Sequence, residues 1–546
     1  MNDTVDDVVI VGGGDIGLLT GLCVRQLNHD IDVSIVDNFQ QDPPQVGKST
    51  FYKIVDVLHT FLGIDERRFI EEVKPIWKCT VFFRDWCGCE PFHYPFDLER
   101  KFPPSNTPKR FQFFYHLYKD RYADDLTINE EIVAQGKSPW FFDVRQGSYQ
   151  QYRPIAYHLD LERFNGFLRT LCRERGVSLI DDEITAVESD GDRIARVRSK
   201  SQAYEADLYV DATGFTRILA SHVDGEFRDF DLPLDSAVKT NVERPLSEVI
   251  PATVIDSGDS GWFWNIDTYD DRDLGYVYAS EFISDEDAIE EFLEHCGDGV
   301  TEADVTKYEF TSGYYEDSWI ENAVIIGNAG GFVEPLESTG LTFNAEAAVR
   351  LSVLLSSHGR FDDEAIRDTY NAWWRACWES IYDFIFVHYK FAPGETPFWQ
   401  EVRSLEFPPR VERIVREFDR NGLDASVSGA IELGANDDTL VFFRNEDFYM
   451  LMRNMGCTSS FYEGVDYEVD ERVEQAAAQM IEQNAGRVEQ DFITTEEFYR
   501  GVDSSQIGTG PGGQRGQARP PTGRPTGGRP SGRGRQSGRG RPPRGV

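Results

Sequence analysis

The sequence predicts an α/β protein: a parallel sheet that the chain leaves and re-enters, two strand-rich insertions between the visits, and helices after the last. Three observations predict it. The first is Val8-Val9-Ile10-Val11-Gly12-Gly13-Gly14-Asp15-Ile16-Gly17. Its β-branched run reads as a buried parallel strand, breaks at glycines and passes into the apolar helical pattern Leu18 to Leu27. The second is a pair of later strand-like runs that also end in small residues, Ala206 to Gly214 and Ala323 to Gly331. The third is a helical periodicity, rich in aromatics and charge, from about residue 360 to 500.

Taken in order, Gly12, Gly14 and Gly17 have the G-x-G-x-x-G spacing. In that pattern the first glycine permits the tight turn, the second lets backbone approach a pyrophosphate, and the third lets helix and strand lie close. A second strand, Ile31 to Val36, ends at Asp37, twenty positions after Gly17, where a Rossmann-like fold places an acceptor for a ribose hydroxyl. The helix N-terminus adds free N–H groups and a partial positive charge for the phosphates. Gly508, Gly510 and Gly513 have the same spacing but lie in a Pro/Gly/Arg-rich run with no strand or helix pattern, so they are set aside.

A loop from Asn38 to Gln45 holds Pro43-Pro44, and Gly47-Lys48-Ser49-Thr50 then opens a predicted helix, Phe51 to Leu62. This looks like the end of a Walker A motif, but Asp42 stands where that motif needs glycine, and it does not follow the first strand. From Lys74 to Tyr157 the chain turns aromatic and strand-like, with Trp77, Phe82, Phe83, Trp86, Phe92, Tyr94, Phe96 and Phe113-Phe114-Tyr115. It reads as an inserted sheet facing a flat, apolar substrate, although any single ring is as well explained by a core. A helix is predicted over Leu161 to Arg175, a strand over Val177 to Ile180, and a hairpin around Asp190-Gly191. The second insertion, Phe215 to Tyr314, carries Gly261-Trp262-Phe263-Trp264-Asn265-Ile266 and Gly275-Tyr276-Val277-Tyr278-Ala279-Ser280. After Gly331 comes Phe332-Val333-Glu334-Pro335-Leu336-Glu337-Ser338-Thr339-Gly340 and a helix from Leu341 to Leu355. The resulting division is a discontinuous nucleotide domain (1–60, 155–225, 315–355), two substrate-side insertions (61–154, 226–314), a helical C-terminal region (356–503) and a disordered Arg/Gly/Pro-rich tail (504–546).

Composition narrows the class. The 546 residues suffice for two or three domains. Net charge is −40, yet no acid follows Asp503 and nine arginines do. Setting those nine aside leaves −49 on the body, a surface that repels nucleic acid. Its scarce lysine and plentiful aspartate resemble proteins of salt-loving archaea. Eight cysteines in a chain this long form no disulfide framework, and Cys87 and Cys89 lack zinc-finger spacing. The acidic N-terminus entering a strand is unlike a signal peptide, and no apolar run is long enough to span a bilayer, so a cytoplasmic protein without a membrane is expected.

Three visits to one nucleotide domain with two insertions is the layout of FAD-dependent monooxygenases. The glycine motif, Trp262-Phe263-Trp264-Asn265-Ile266, Gly275 to Ser280 and Gly327 to Gly340 together resemble the flavin-dependent halogenases of the tryptophan halogenase family. Gly331 to Gly340 is the most specific piece. Trp77-Lys78-Cys79-Thr80 through Trp86 looks like the segment that carries the family's catalytic lysine, and Asp383-Phe384-Ile385, His388-Tyr389 and Thr396 to Trp399 resemble its C-terminal helices. The resemblance covers roughly residues 5 to 400.

It implies a fold and a chemistry. Reduced FAD, oxygen and chloride or bromide would yield a hypohalous acid that travels to a lysine beside an electron-rich, indole-like aromatic. By position Lys78 would be that lysine and Glu337 its partner glutamate. The N–H groups of Thr339 and Gly340 would hold halide. Gly12, Gly14, Gly17, Asp37, Lys48, Asn328 and Gly331 would line the cofactor, and Trp262 and Trp264 would gate the substrate. An ammonium is a compact donor suited to polarising a hypohalous acid. Three departures stand out. Lys48 replaces a glutamate and would meet flavin phosphate. Asp267 replaces a proline after Ile266 and would loosen that turn. Tyr314 replaces an arginine after Gly313.

Two other readings remain at this level. The same fold serves monooxygenases and oxidoreductases that do not halogenate. The Arg/Gly repeats of the tail, such as Arg533-Gly534-Arg535, resemble RNA-binding segments, although the acidic body competes for those arginines. The ordered chain has no second dinucleotide fingerprint, so reduced flavin is expected from a separate NAD(P)H-dependent flavin reductase. The subunit number is left open, a homodimer being one option.

Overall fold

The computed structural model describes residues 5–40, 48–97, 127–358, 364–421, 442–443, 445–460 and 471–508. Two sheets organise it. The first has six strands in the order Trp319–Ile320, Ala323–Ile325, Leu208–Asp211, Asp7–Val11, Asp32–Asp37 and Ser178–Asp181. All pairs are parallel except the outermost, Trp319–Ile320 against Ala323–Ile325. The central strands are buried on both faces, which is why they read as continuous apolar runs. Helices Asp15–Leu27, Leu161–Glu174 and Gly340–His358 pack together, with the first touching the other two.

The glycine turn follows the expected physics. Gly12 sits at φ +105°, and a Cβ there would lie 2.3 Å from the Ala212 carbonyl oxygen. A Cβ on Gly17 would lie 1.9 Å from the Gly12 oxygen. Gly14 is different: a Cβ there would meet nothing within 4 Å.

The second sheet has seven strands, in the order Thr306–Glu309, Ser236–Glu243, Asp271–Tyr278, Gly261–Asp267, Ala252–Gly258, Thr80–Asp85 and Phe92–Pro95. It unites the two insertions: Thr80–Asp85 pairs in parallel with Ala252–Gly258, across more than a hundred and sixty residues of chain. Helix Glu364–Lys390 meets it through Phe384 and His388 against Tyr94 and Phe83, and helices Pro397–Ser404, Pro409–Asn421 and Asn445–Asn454 pack on that helix. Among the described residues no helix is long and apolar enough to cross a membrane, and no cluster of His, Cys, Asp and Glu could hold a metal ion. All eight cysteines are free thiols.

Several expectations need correction. The helix predicted from Phe51 is a turn followed by a π-helical stretch, Asp56–Phe61. His59, within it, bonds the nearby Ile64 carbonyl through Nδ1 and the distant Tyr157 hydroxyl through Nε2. The chain does not lose order at Ser504: Ser504–Gln506 forms a 3₁₀ turn, Ile507 is buried, and the Arg67 guanidinium donates to its carbonyl. Phe113-Phe114-Tyr115, Pro43-Pro44, Gly47 and the arginine tail lie outside the described residues.

Gly275 shows how tightly the second sheet is filled. It pairs with Trp264, whose ring covers it, and a Cβ on Gly275 would fall 1.9 Å from that ring. Gly275→Ala should therefore destabilise the fold by about 1–3 kcal/mol through overpacking, lowering the melting temperature by several degrees in calorimetry. An unchanged melting temperature would mean that Trp264 is free to move.

Candidate active site

Four short segments converge on Lys78. Strand Ile76–Lys78 pairs antiparallel with Ala156–His158, and Ser49 makes a single bridge to His158 from the other side. Alternation along a strand sends Trp77 one way and Lys78 the other. Trp77 enters an aromatic cluster with Trp140, Phe498 and Tyr499. Lys78 points inward and is fully buried. Its Nζ donates to Ser49 Oγ at 3.1 Å and lies 5.6 Å from the Phe96 ring centre. Burial pushes the ammonium down to about 7, and the Glu337 carboxylate acts in the opposite direction. Lys78 is thus poised between amine and ammonium near neutrality, while a surface lysine would be fully charged.

Glu337 reaches the same region from the turn before helix Gly340–His358. Ser338, next to it, holds φ +56°, a left-handed conformation that costs a non-glycine residue energy and is kept only where the surroundings enforce it. Glu337 is fully buried, and its Oε1 lies 2.9 Å from His388 Nε2. The contact is close but off-axis: neither Glu337 oxygen has an aligned hydrogen bond among the described residues. His388 Nδ1 donates to the Phe384 carbonyl at 2.9 Å. Its Nε2 would therefore set a lone pair against a carboxylate unless a proton lies between the two. Glu334, also buried, is pushed up to about 8 by desolvation, opposed by the Tyr389 hydroxyl, the Leu336 N–H, which donates to its Oε2 at 3.1 Å, and the Trp262 indole.

The segment Lys48 to Phe51 ties these groups to the nucleotide domain. Leu159 N–H donates to the Lys48 carbonyl at 2.7 Å, Thr50 exchanges bonds with Tyr157, and Phe51 N–H donates to Thr342 Oγ1 at 2.9 Å. The last bond joins it to the first turn of helix Gly340–His358. Lys48 itself does not present a free cation to a phosphate. It is buried, with Nζ 3.5 Å from Asp271 and 3.4 Å from Asp273. Asp273 also receives the Trp264 indole N–H at 2.6 Å and pairs with Lys239. The expected role of Lys48 is thus replaced by an anchor between segment and sheet.

Asp267 likewise does not loosen its turn. Its carboxylate takes Arg244 Nε at 3.0 Å, Arg272 Nε at 2.7 Å and the Ile250 N–H at 2.7 Å. Charge pairing fixes a corner that proline would fix covalently. Trp262 and Trp264, two apart on strand Gly261–Asp267, share one face with ring centres 6.0 Å apart.

The residues fit the cofactor in part. The open space at Gly14, the first-turn N–H groups of helix Asp15–Leu27 and the Asp37 carboxylate form a cradle for a pyrophosphate and ribose. Asp37 already accepts from Gly13 N–H at 2.7 Å and Asn38 N–H at 2.9 Å, with lone pairs to spare. Asn328 is exposed on a 3₁₀ turn whose Gly327 rests against Ile16, so it sits beside that cradle. Gly331 is not part of it: a Cβ there would strike Tyr314 and Trp378, so its glycine serves packing. Thr339 is buried, and Gly340 is exposed with open space where a Cβ would be, leaving first-turn N–H groups of a 19-residue helix available to an anion. A surface cavity of about 730 Å³ lined by Phe215, Arg217, Ser280, Lys307 and Phe310 contains none of these groups.

Ser49, Thr253, His158, His388 and Glu334 had no role in the sequence reading. No spacing marks them, because they come from separate strands and helices. Glu334 and His388 lie inside segments that carry the resemblance and Ser49 stands beside Lys48, whereas Thr253 and His158 had no sequence-level signal.

Known proteins give the same answer. The chain is 27% identical to tryptophan 7-halogenase RebH of Lentzea aerocolonigenes, over 85% of this chain and 89% of the relative. It is 29% identical to tryptophan 6-halogenase SttH of Streptomyces toxytricini, over 75% and 83%. The solved structure of BrvH, a flavin-dependent halogenase from Brevundimonas sp. BAL3, superposes with a TM-score of 0.78 at 25% identity, covering 92% of this chain and all of that one. A family model described as tryptophan halogenase matches residues 7–470, and the chain therefore belongs to the tryptophan halogenase family.

Proposed function

We propose that this protein is an FAD-dependent halogenase that uses Lys78 to deliver an electrophilic halogen to an electron-rich, indole-like aromatic. The observation that carries the reading is a fully buried lysine, held near its neutral point, facing a buried glutamate. Reduced FAD, when bound, supplies with oxygen the oxidising power that turns chloride or bromide into hypohalous acid. The chain's own residues do the rest. Gly12, Gly14, Gly17, Asp37 and Asn328 hold the nucleotide end. The amides of Thr339 and Gly340 hold halide at a helix start, where the dipole favours an anion. Glu334 Oε1, both Glu337 oxygens, the Trp262 indole nitrogen and the Tyr389 hydroxyl, buried with no aligned partner among the described residues, suit a route for a small polar oxidant.

At the end of that route Lys78 donates a hydrogen bond to the oxidant and polarises the oxygen–halogen bond, a role that grows in the transition state. Glu337 balances the lysine's charge and can take the proton lost by the ring. Trp262 and Trp264 wall the aromatic substrate. The relatives named above are tryptophan halogenases, and an indole is the substrate class tested first. A separate NAD(P)H-dependent reductase supplies reduced flavin in this reading. Salt adaptation of the acidic body and a cytoplasmic setting complete the proposal.

Gly14→Val tests the cofactor site. Its side chain enters open space, so circular dichroism and melting should be near wild type, while FAD binding followed by flavin fluorescence should fall at least about tenfold. Full flavin occupancy in that variant would move the site elsewhere. Lys78→Ala tests the oxidant's destination. FAD binding and oxidation of reduced flavin by oxygen should stay near normal, and halogenated product by mass spectrometry should drop by roughly two orders of magnitude or more. Wild-type product, in an intact protein, should show a pH limb near 7 that follows Lys78. Undiminished halogenation by Lys78→Ala would remove the lysine from the mechanism.

A further inference from the structure

Behind Lys78 runs an unbroken row of hydrogen bonds. Lys78 Nζ lies 3.1 Å from Ser49 Oγ, Ser49 Oγ 2.9 Å from Thr253 Oγ1, and Thr253 Oγ1 2.9 Å from His158 Nε2. His158 Nδ1 lies 3.0 Å from the Asp267 backbone oxygen. Lys78 and His158 are wholly buried and Ser49 and Thr253 nearly so. Asp267, at the far end, is the residue clamped by Arg244 and Arg272.

The two ends fix the direction of every proton. A carbonyl oxygen only accepts, so His158 carries hydrogen on Nδ1. Burial and the charge of Lys78 press the imidazole down to about 3, so His158 is neutral and its Nε2 must accept. Thr253 therefore gives its hydroxyl proton to His158, and its oxygen accepts from Ser49. Ser49 in turn has its proton turned away from Lys78 and its lone pairs turned towards it. Successive bonds in such a chain polarise one another and strengthen the acceptor at its head.

We propose that Ser49, Thr253 and His158 are positioning residues that aim the Lys78 N–H and favour its charged form. This rests on the reading of Lys78 as the group that receives the oxidant. The ionisable groups that face the lysine are few. Glu337 favours the ammonium, with His388 behind it; His158 is neutral; Arg244 stands beyond Asp267 at the far end. The oriented hydroxyl row is the only direct hydrogen-bond acceptor found for Nζ among the described residues. The ion pairs of Asp267 hold in place the backbone carbonyl that sets the polarity of the whole row.

Thr253→Val tests the proposal, since it keeps the side chain's shape and deletes one hydroxyl. Full-length protein labelled with ε-¹⁵N lysine is titrated by NMR, the Lys78 signal being the one lost in Lys78→Arg. In wild type it should titrate near 7. In Thr253→Val the Ser49 hydroxyl is free to turn its proton towards the amine, so the midpoint should fall by about 0.5–1 pH unit. Thr253→Ser should restore it. Ser49→Ala, which deletes the acceptor from the other side, should lower it at least as far. Product formed per flavin oxidised should fall about three- to tenfold in Thr253→Val and recover in Thr253→Ser, with flavin oxidation unchanged. A Lys78 midpoint that does not move in Thr253→Val and Ser49→Ala would overturn the proposal, as would an equal shift in Thr253→Ser. A midpoint that moves as expected in a protein that never halogenates would sustain the row and sink the oxidant reading.

Discussion

The structure depends on keeping one amine out of water. A lysine ammonium is among the costliest groups to bury, and an interior without partners would expel or neutralise it. Here the cost is met by an arrangement that draws on most of the chain. Strand Ile76–Lys78 aims the side chain inward, and the aromatic packing of Trp77 against Phe498 and Tyr499 seals the strand's other face. Glu337 comes from the turn before helix Gly340–His358, His388 from the long helix Glu364–Lys390, Thr253 from the second sheet, and Ser49 and His158 from the segments beside Lys78. No single element could supply the environment alone.

The segment Lys48–Phe51 is where the two sheets meet that requirement together. Its backbone is hydrogen-bonded to Tyr157 and Leu159 beside Lys78, and its far end to Thr342 at the start of the helix whose first N–H groups suit a halide. Lys48 locks it to Asp271 and Asp273, and Asp273 in turn holds Trp264. The segment and Trp264 are thus held to the second sheet by charge pairs and hydrogen bonds. The same economy explains Asp267: a clamped carboxylate both fixes the corner and presents a carbonyl to His158.

What the sequence made legible followed from local rules. The glycine turn, the strand before it and the helix after it were readable because each residue's role there is steric and short-range. So were the hairpin at Asp190-Gly191 and helix Leu161–Glu174, whose cap, Asp160, is also local. Lys78 and Glu337 were legible only through family resemblance, since an isolated lysine on a strand looks like a surface residue. The misreadings were tertiary. Lys48 was assigned to a phosphate because its carboxylate partners lie more than two hundred residues away. The helix expected at Phe51 is instead a π-helical stretch whose His59 bonds Tyr157, a partner ninety-eight residues away that no local pattern shows. Gly331 looked like a ligand contact and instead makes room for Trp378. The row from Ser49 to His158 crosses three segments, and no one-dimensional pattern encodes it.

The central claim is that a hypohalous acid, and not an oxygen atom carried by the flavin, would react with the aromatic ring at Lys78. The most direct test is mass spectrometry of products formed by the wild-type protein with enzymatically reduced FAD, oxygen, bromide and a panel of indoles, phenols and pyrroles, in high salt. The account predicts a monobrominated aromatic, recognised by the bromine isotope doublet, that disappears when bromide is omitted. A hydroxylated product that forms equally well without bromide would contradict it and identify the protein as a monooxygenase on the same fold.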